Sequence, residues 1–240
     1  EALGPYLNFH FSRDVVEKAL LQATNPGYGT RPPRSERVVL EHTSANPNGP
    51  LHVGHIRNTI LGDTLARCFR KAGYPLEVQY YVNDMGRQIA IVAWGIERQS
   101  ADIHADGKGD HLIADVYIEA NRQLDADASL NAEIDALMQR VEAGDPEILH
   151  RFKVPVRRCL EGFKETLSGL HAVHDRFVYE SDFVRNGDTS KILSRIGHMK
   201  EAVHEETLGL DLTAYGFEKT YILRRSDGTS VYAARDIAFH

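Results

Sequence analysis

An α/β fold built around a parallel sheet and interrupted by a block of helices is what the hydrophobic patterning of this chain predicts. Three observations carry the prediction. Residues 37–42 and 76–82 are short apolar runs that read as strands, and a long amphipathic stretch, 56–72, joins them as a crossover helix. From about 99 to 170 helical periodicity recurs with no strand between its segments. Beyond that block a strand-like run returns at 176–179.

Taken in order, the chain opens with an alternating, strand-like run at 4–11. A helix is then predicted from Ser12 to about Ala23, with Ser12 placed to cap it. A Gly/Pro-rich loop fills 25–34, and the strand at 37–42 leads into a polar Asn/Pro/Gly turn at 43–50. Gly73-Tyr74-Pro75 stops the crossover helix, 76–82 alternates as the second strand, and Asn83-Asp84-Met85-Gly86 turns the chain into another helix, 88–98. The helical block reads as 112–122, 130–143 and 146–170, after a loop at Gly107-Lys108-Gly109. After the strand at 176–179, a helix is predicted over 189–207. A hairpin then pairs 219–225 with 230–234 around Ser226-Asp227-Gly228-Thr229, and a last helix begins at 235–240.

Composition narrows the function classes. With 240 residues and 42% hydrophobic content the chain can bury one substantial core plus an insertion. Its longest apolar runs fall far short of the roughly 20 residues a membrane span requires, and residues 1–30 carry no basic-then-apolar leader. Cys68 and Cys159 stand alone in helical segments, which suits a reducing cytoplasm and offers no disulfide framework. A balance of 28 Lys+Arg against 34 Asp+Glu, −6 overall, would not by itself suggest nucleic acid. His104, His111, His171, His174, His198 and His204 lack partners at ligand spacing, so no metal site is expected.

The chemistry-bearing motif is His52-Val53-Gly54-His55, set where strand and loop give way to a helix. Unsatisfied backbone N–H groups and the helix dipole attract phosphate there, and Gly54 permits close approach. Two histidines at this spacing can donate hydrogen bonds to a polyphosphate whose oxygens gain charge as pyrophosphate departs. The plainer reading is that they cap or pack the helix start.

The longer stretch Glu41-His42-Thr43-Ser44-Ala45-Asn46-Pro47-Asn48-Gly49-Pro50-Leu51-His52-Val53-Gly54-His55-Ile56-Arg57-Asn58 resembles the HIGH signature region of arginyl-tRNA synthetases, class I enzymes. The resemblance continues through Leu61-Gly62-Asp63, Gly73-Tyr74 and Tyr81-Val82-Asn83-Asp84-Met85-Gly86-Arg87-Gln88, and resumes over 225–237. It implies a Rossmann-type parallel sheet that uses ATP and Mg²⁺ to activate L-arginine and then loads it onto tRNA(Arg). Carried over by motif position, His52, Gly54 and His55 hold ATP, with the two histidines as the catalytic pair. Ser44 and Asn46 hold the amino acid's α-ammonium and carboxylate end. Tyr232 and Asp236 form the side-chain pocket, joined by Glu180 and Glu41, since carboxylates suit a planar cation that is always charged. The plainer readings are a turn-forming Ser/Asn pair, a surface Glu180, and an Arg235 that ties Asp236 into an ion pair.

On this reading the chain divides into the tail of an appended domain plus linker (1–36), the first part of the catalytic domain (37–98), a helical insertion (99–170) and a return to the catalytic domain (171–240), truncated before its second half is complete. Gly49 departs from relatives that place a lysine before the HIGH motif, which implies a lysine in a later Lys-Met-Ser-Lys-Ser loop. No such loop occurs in these residues, so the piece alone is expected to be inactive. Two other functions compete. One is a catalytically dead paralogue that binds arginine or a partner, the other a small nucleotidylyltransferase that shares the HxGH pattern.

Overall fold

The computed structural model describes residues 2–226, 228 and 230–240. The chain forms two compact units, Glu1–Val38 with Thr64–Leu76, and Val39–Asp63 with Glu77–His240.

In the first unit, β1 (Ala2–Leu3) pairs antiparallel with β2 (Tyr6–Leu7). Of the run expected as a strand over 4–11 only Tyr6–Leu7 is one, paired back on Ala2–Leu3 across the turn that Gly4 makes at φ 60°. Helix α1 (Arg13–Ala23) follows Ser12, whose extended backbone marks the N-cap although its hydroxyl makes no cap bond. The unit also holds the last turns of α2 (Val53–Lys71). There the 31–34 loop satisfies carbonyls that a helix end leaves open: Arg31 N donates to Lys71 O (2.8 Å) and Arg34 Nε to Ala72 O (3.2 Å). Gly73 makes this closure possible, since it sits at φ 87° and a Cβ there would stand 2.1 Å from Pro32 O.

The second unit carries the predicted sheet, ordered β3 (Val38–Glu41), β4 (Leu76–Val82), β5 (Arg176–Tyr179), all parallel. The β4–β5 register runs from Gln79↔Arg176 to Val82↔Tyr179, and His42 N, just past β3, donates to Gln79 O (3.3 Å). The central strand β4 buries Val78, Tyr80 and Val82 completely. It is covered by α3 (Arg87–Gln99), α4 (Gly109–Ala126), α5 (Asn131–Glu142) and α6 (Pro146–Gly169), whose Ile89, Ile113, Ile134, Phe152 and Phe163 share one core with Tyr80. Removing each such side chain from water contributes roughly 1.5–3 kcal/mol.

The helices of the block are held in register by specific contacts. Asp145 caps α6 by accepting from Glu147 N (3.0 Å) and Ile148 N (3.4 Å), with Pro146 in the first turn. Where α4 meets α6 only glycine fits: a Cβ on Gly109 would lie 2.0 Å from Arg158 O, and one on Gly162 2.4 Å from Asp110 Oδ1. Lys108 then bonds both Asp110 (2.7 Å) and Thr166 (2.6 Å).

The last third departs from the sequence expectation. After the short α7 (Glu180–Arg185), helix α8 runs only over Asp188–Ile196. His198 Nδ1 meets Ser194 O at 2.6 Å beyond Gly197, and the chain leaves the helix. Part of the predicted 189–207 helix is instead β6 (Ala202–His204), antiparallel to β7 (Leu208–Leu210), which also pairs with β8 (Tyr221–Arg224). Among the described residues the predicted hairpin keeps one bridge, Arg224↔Ser230, because α9 already begins at Tyr232 and runs to Phe239. Asp227 and Thr229 of its turn lie outside the described residues. Ile196, Leu210, Leu223, Ala233 and Ala234 form a small second core. Among the described residues no helix is long and apolar enough to cross a membrane.

Candidate active site

Ser44 and Asn46 follow the end of β3, Glu180 follows the end of β5, Asp236 of α9 acts on Tyr81 near the end of β4, and His52 and His55 stand at the start of α2; the ends of parallel strands are where open α/β sheets bind ligands. At the start of α2 the two histidines solve a capping problem. Nδ1 of His52 accepts from Gly54 N (3.0 Å) and His55 N (3.4 Å), while His52 N donates to Nδ1 of His55 (3.3 Å). This is a reciprocal capping box written in histidine, and it explains the three-residue spacing. The rings stack at 3.6 Å and 20°. A Cβ on Gly54 would stand 2.9 Å from His52 Cε1, so glycine is what leaves room for the ring.

The cap also fixes the tautomers. Because both Nδ1 atoms accept, each neutral ring carries its proton on Nε2, the nitrogen left for a ligand. Burial first, and the neighbouring His52 second, hold His55 below the usual histidine range. Capping and phosphate binding are thus compatible uses of the same two rings.

Past β3, the loop holding Ser44 and Asn46 is pinned to its neighbours. Ser44 Oγ accepts from Tyr81 N (3.1 Å), Tyr80 Oη donates to Ala45 O (2.9 Å), and Asn46 Nδ2 donates to Gln88 Oε1 (2.7 Å). Thr43 and Ser44 both take left-handed backbone, φ 70° and 42°. That conformation is rare outside glycine, and for a β-branched threonine it signals strain. Gly49 lies against the helical block, where a Cβ would come within 3.3 Å of Ala114 Cβ.

Carboxylates gather at the ends of β4 and β5. Glu180, fully buried, is paired with Arg235 through Nε and Oε1, and Arg235 also donates to Ser230 O (3.0 Å) and Ser230 Oγ (3.1 Å). Glu180 is therefore not a surface glutamate, and Arg235 pairs with it rather than with its neighbour Asp236. Burial pushes the carboxyls of Glu180, Asp236 and Asp84 above the usual carboxylate range, with Arg235 opposing the shift in the first two and the Ser181 hydrogen bonds opposing it in Asp84. Glu41, an exposed residue at the end of β3, adds to the upward push on Asp236. Tyr81 sits among these charges and is pushed up chiefly by burial, then by Glu180 and Asp236. Its hydroxyl is near enough to favour the charged form of Asp236 yet closes no hydrogen bond of good geometry; among the described residues both it and Glu180 Oε2 are buried without a partner. Tyr232 shares a face of α9 with Asp236, four residues on, but stands 64% exposed.

The sequence reading therefore named Glu41, Glu180 and Asp236, which the structure couples electrostatically, and Tyr232, which it leaves open to solvent. Tyr81 and Gln88 carry no role in that reading: the alternation of β4 does not say that Tyr81 ends among the carboxylates, and nothing local marks the bond of Gln88 to Asn46.

Residues 15–240 match the family described as tRNA synthetases class I (R), catalytic domain. The chain belongs to that family. An arginine–tRNA ligase of Methanospirillum hungatei is 74% identical over 239 residues, covering 100% of this chain and 43% of that protein. One from Methanoregula boonei is 59% identical over 242 residues, again covering 43% of its length. Among solved structures, arginyl-tRNA synthetase of Thermus thermophilus superposes with a TM-score of 0.75 at 32% identity, over 93% of this chain and 38% of that one. The chain thus spans less than half the length of the synthetases it matches, and its three-stranded parallel sheet is part of a class I synthetase fold.

Proposed function

We propose that this chain supplies the arginine pocket and the first phosphate-binding element of an arginine–tRNA ligase. The observation that carries the reading is the cluster at the ends of β4 and β5. There Glu180, Asp236 and Asp84 press on Tyr81, Glu41 presses on Asp236, and among the described residues Glu180 Oε2 and Tyr81 Oη lie buried without a hydrogen-bond partner. An orphaned buried acceptor is costly, and a guanidinium, with five donors in one plane, is suited to satisfy several at once. In this reading Asp236 and Glu180 Oε2 face the guanidinium, Tyr232 closes over it, and Ser44 and Asn46 hold the α-ammonium and carboxylate.

The first reaction needs no protein nucleophile. A carboxylate oxygen of arginine bonds to the α-phosphorus of ATP, the bond to the bridging oxygen breaks, and pyrophosphate leaves with the electron pair. Nε2–H of His52 and of His55 donates to the oxygens that gain charge, so catalysis is alignment plus electrostatic stabilisation. Mg²⁺ enters with ATP as part of that substrate. In the second reaction a hydroxyl of the terminal ribose of tRNA(Arg) attacks the activated carbonyl and AMP departs.

Amino-acid-dependent exchange of pyrophosphate into ATP tests the reading in the full-length protein. Arginine is expected to support exchange, and lysine or glutamine to fall short by at least about 10⁴-fold, the discrimination a site built to satisfy buried polar groups provides. Equal rates with lysine would overturn the arginine pocket, and no exchange with arginine in the presence of tRNA would instead favour a binding protein without ligase activity.

A further inference from the structure

We propose that His42, Thr43 and Thr59 form a hydrogen-bond relay that positions the amino-acid loop against the nucleotide-binding start of α2, so that the two halves of the site are held in one alignment. The inference rests on the ligase reading above and adds residues that reading does not use. Thr59 Oγ1 donates to His55 O (2.9 Å), Thr43 Oγ1 lies 2.9 Å from Thr59 Oγ1, and His42 Nδ1 lies 3.0 Å from Thr43 Oγ1.

Proton counting fixes the direction. Thr59 has one hydroxyl proton and spends it on His55 O, so Thr43 must donate to Thr59. Thr43 then has none left, so His42 must donate from Nδ1. Donors therefore run from His42 through both threonines to the peptide of a phosphate-binding histidine. His42, Thr43 and Thr59 are 4%, 4% and 0% exposed, so water does not compete.

Two features show that the fold is shaped around this relay. Thr43 keeps its left-handed φ of 70° although it is β-branched, and Ser44 beside it is held at φ 42°. Such backbone persists only where surrounding contacts over-determine it. Gly62, one turn beyond Thr59, leaves the space that the His42 ring fills: a Cβ there would lie 2.2 Å from His42 Cγ. Burial also holds His42 below the usual histidine range, against the opposing charges of Asp63 and Glu41. Because Ser44 follows Thr43 directly and accepts from Tyr81 N, a shift at Thr43 moves the amino-acid site, and a shift at Thr59 moves the carbonyl of His55.

The three are positioning residues, and the test separates alignment from folding. Thr43→Gly relieves the backbone strain and removes the hydroxyl. Thr59→Val keeps the shape and removes both bonds, and Thr59→Ser restores them. In the full-length protein, Thr43→Gly and Thr59→Val are expected to lower kcat for arginine-dependent exchange by about 10- to 100-fold. KM should change little, Tm should hold for Thr43→Gly, and Thr59→Ser should recover most of the rate. Unsubstituted rates in Thr43→Gly and Thr59→Val would overturn the relay, and an inactive unsubstituted protein would overturn the ligase reading instead. A second measurement needs neither activity nor substitution. Nitrogen chemical shifts of His42 in this chain should report the Nδ1–H tautomer, and the Nε2–H tautomer would overturn the relay.

Discussion

Replacing His55 with asparagine in the full-length protein is expected to lower arginine-dependent pyrophosphate exchange by about 10²–10³-fold, the usual cost of one donor aimed at developing charge. The expectation follows from the division of labour within the ring. Nδ1 accepts from His52 N and belongs to the helix cap, whereas Nε2 carries the proton and belongs to the ligand. Asparagine can place an oxygen near the Nδ1 position but nothing at Nε2, so it should spare the fold and lose the rate. Glutamine can bring an N–H toward the Nε2 position but serves the cap poorly, so His55→Gln should retain more rate and less stability. Exchange rates and thermal midpoints of the two variants, measured side by side, check the opposite orders. A nearly unchanged rate in His55→Asn, with the loss confined to His55→Gln, would mean that His55 acts only as a cap.

Loss of Arg235 is the largest stability effect expected. Its side chain is 6% exposed and that of Glu180 1%, and it also lies 3.9 Å from Glu142 Oε1 of α5. Arg235→Met therefore strands a buried carboxylate, at a cost of about 3–5 kcal/mol. Glu180→Gln in the same chain should recover a large part of that cost, because the stranded group is then neutral. Urea unfolding of the single and double variants decides it. A single variant within about 1 kcal/mol of the unsubstituted chain would contradict the view that this pair locks α7 to α9.

The contrast between these two sites shows what the sequence makes legible. The β3–α2–β4 unit could be read because strand and helix periods differ, and Gly73-Tyr74-Pro75 punctuates them. His52 and His55 could be read because a capping box is local, complete within four residues. Arg235 could not be placed correctly: its partner, Glu180, is 55 positions away, and adjacency to Asp236 was the only cue available. The second sheet was hidden for a related reason. Leu193, Ile196, Met199 and Val203 continue a helical spacing past Gly197, while the force that makes 202–204 a strand is pairing with 208–210, outside any local window. The Thr43 strain was equally invisible, since nothing in the residue type announces a positive φ.

The central claim is that the acidic ends of β4 and β5, with Asp236 of α9, recognise arginine by its charge. Calorimetric titration with L-arginine and L-citrulline, repeated on Asp236→Asn, tests it most directly, because citrulline keeps the shape of the side chain and loses the cation. The account predicts that arginine binds at least about 100-fold more tightly than citrulline, as charge-assisted bonds to buried carboxylates require, and that Asp236→Asn removes most of that preference. Equal binding of the two ligands, or an unchanged preference in Asp236→Asn, would contradict it.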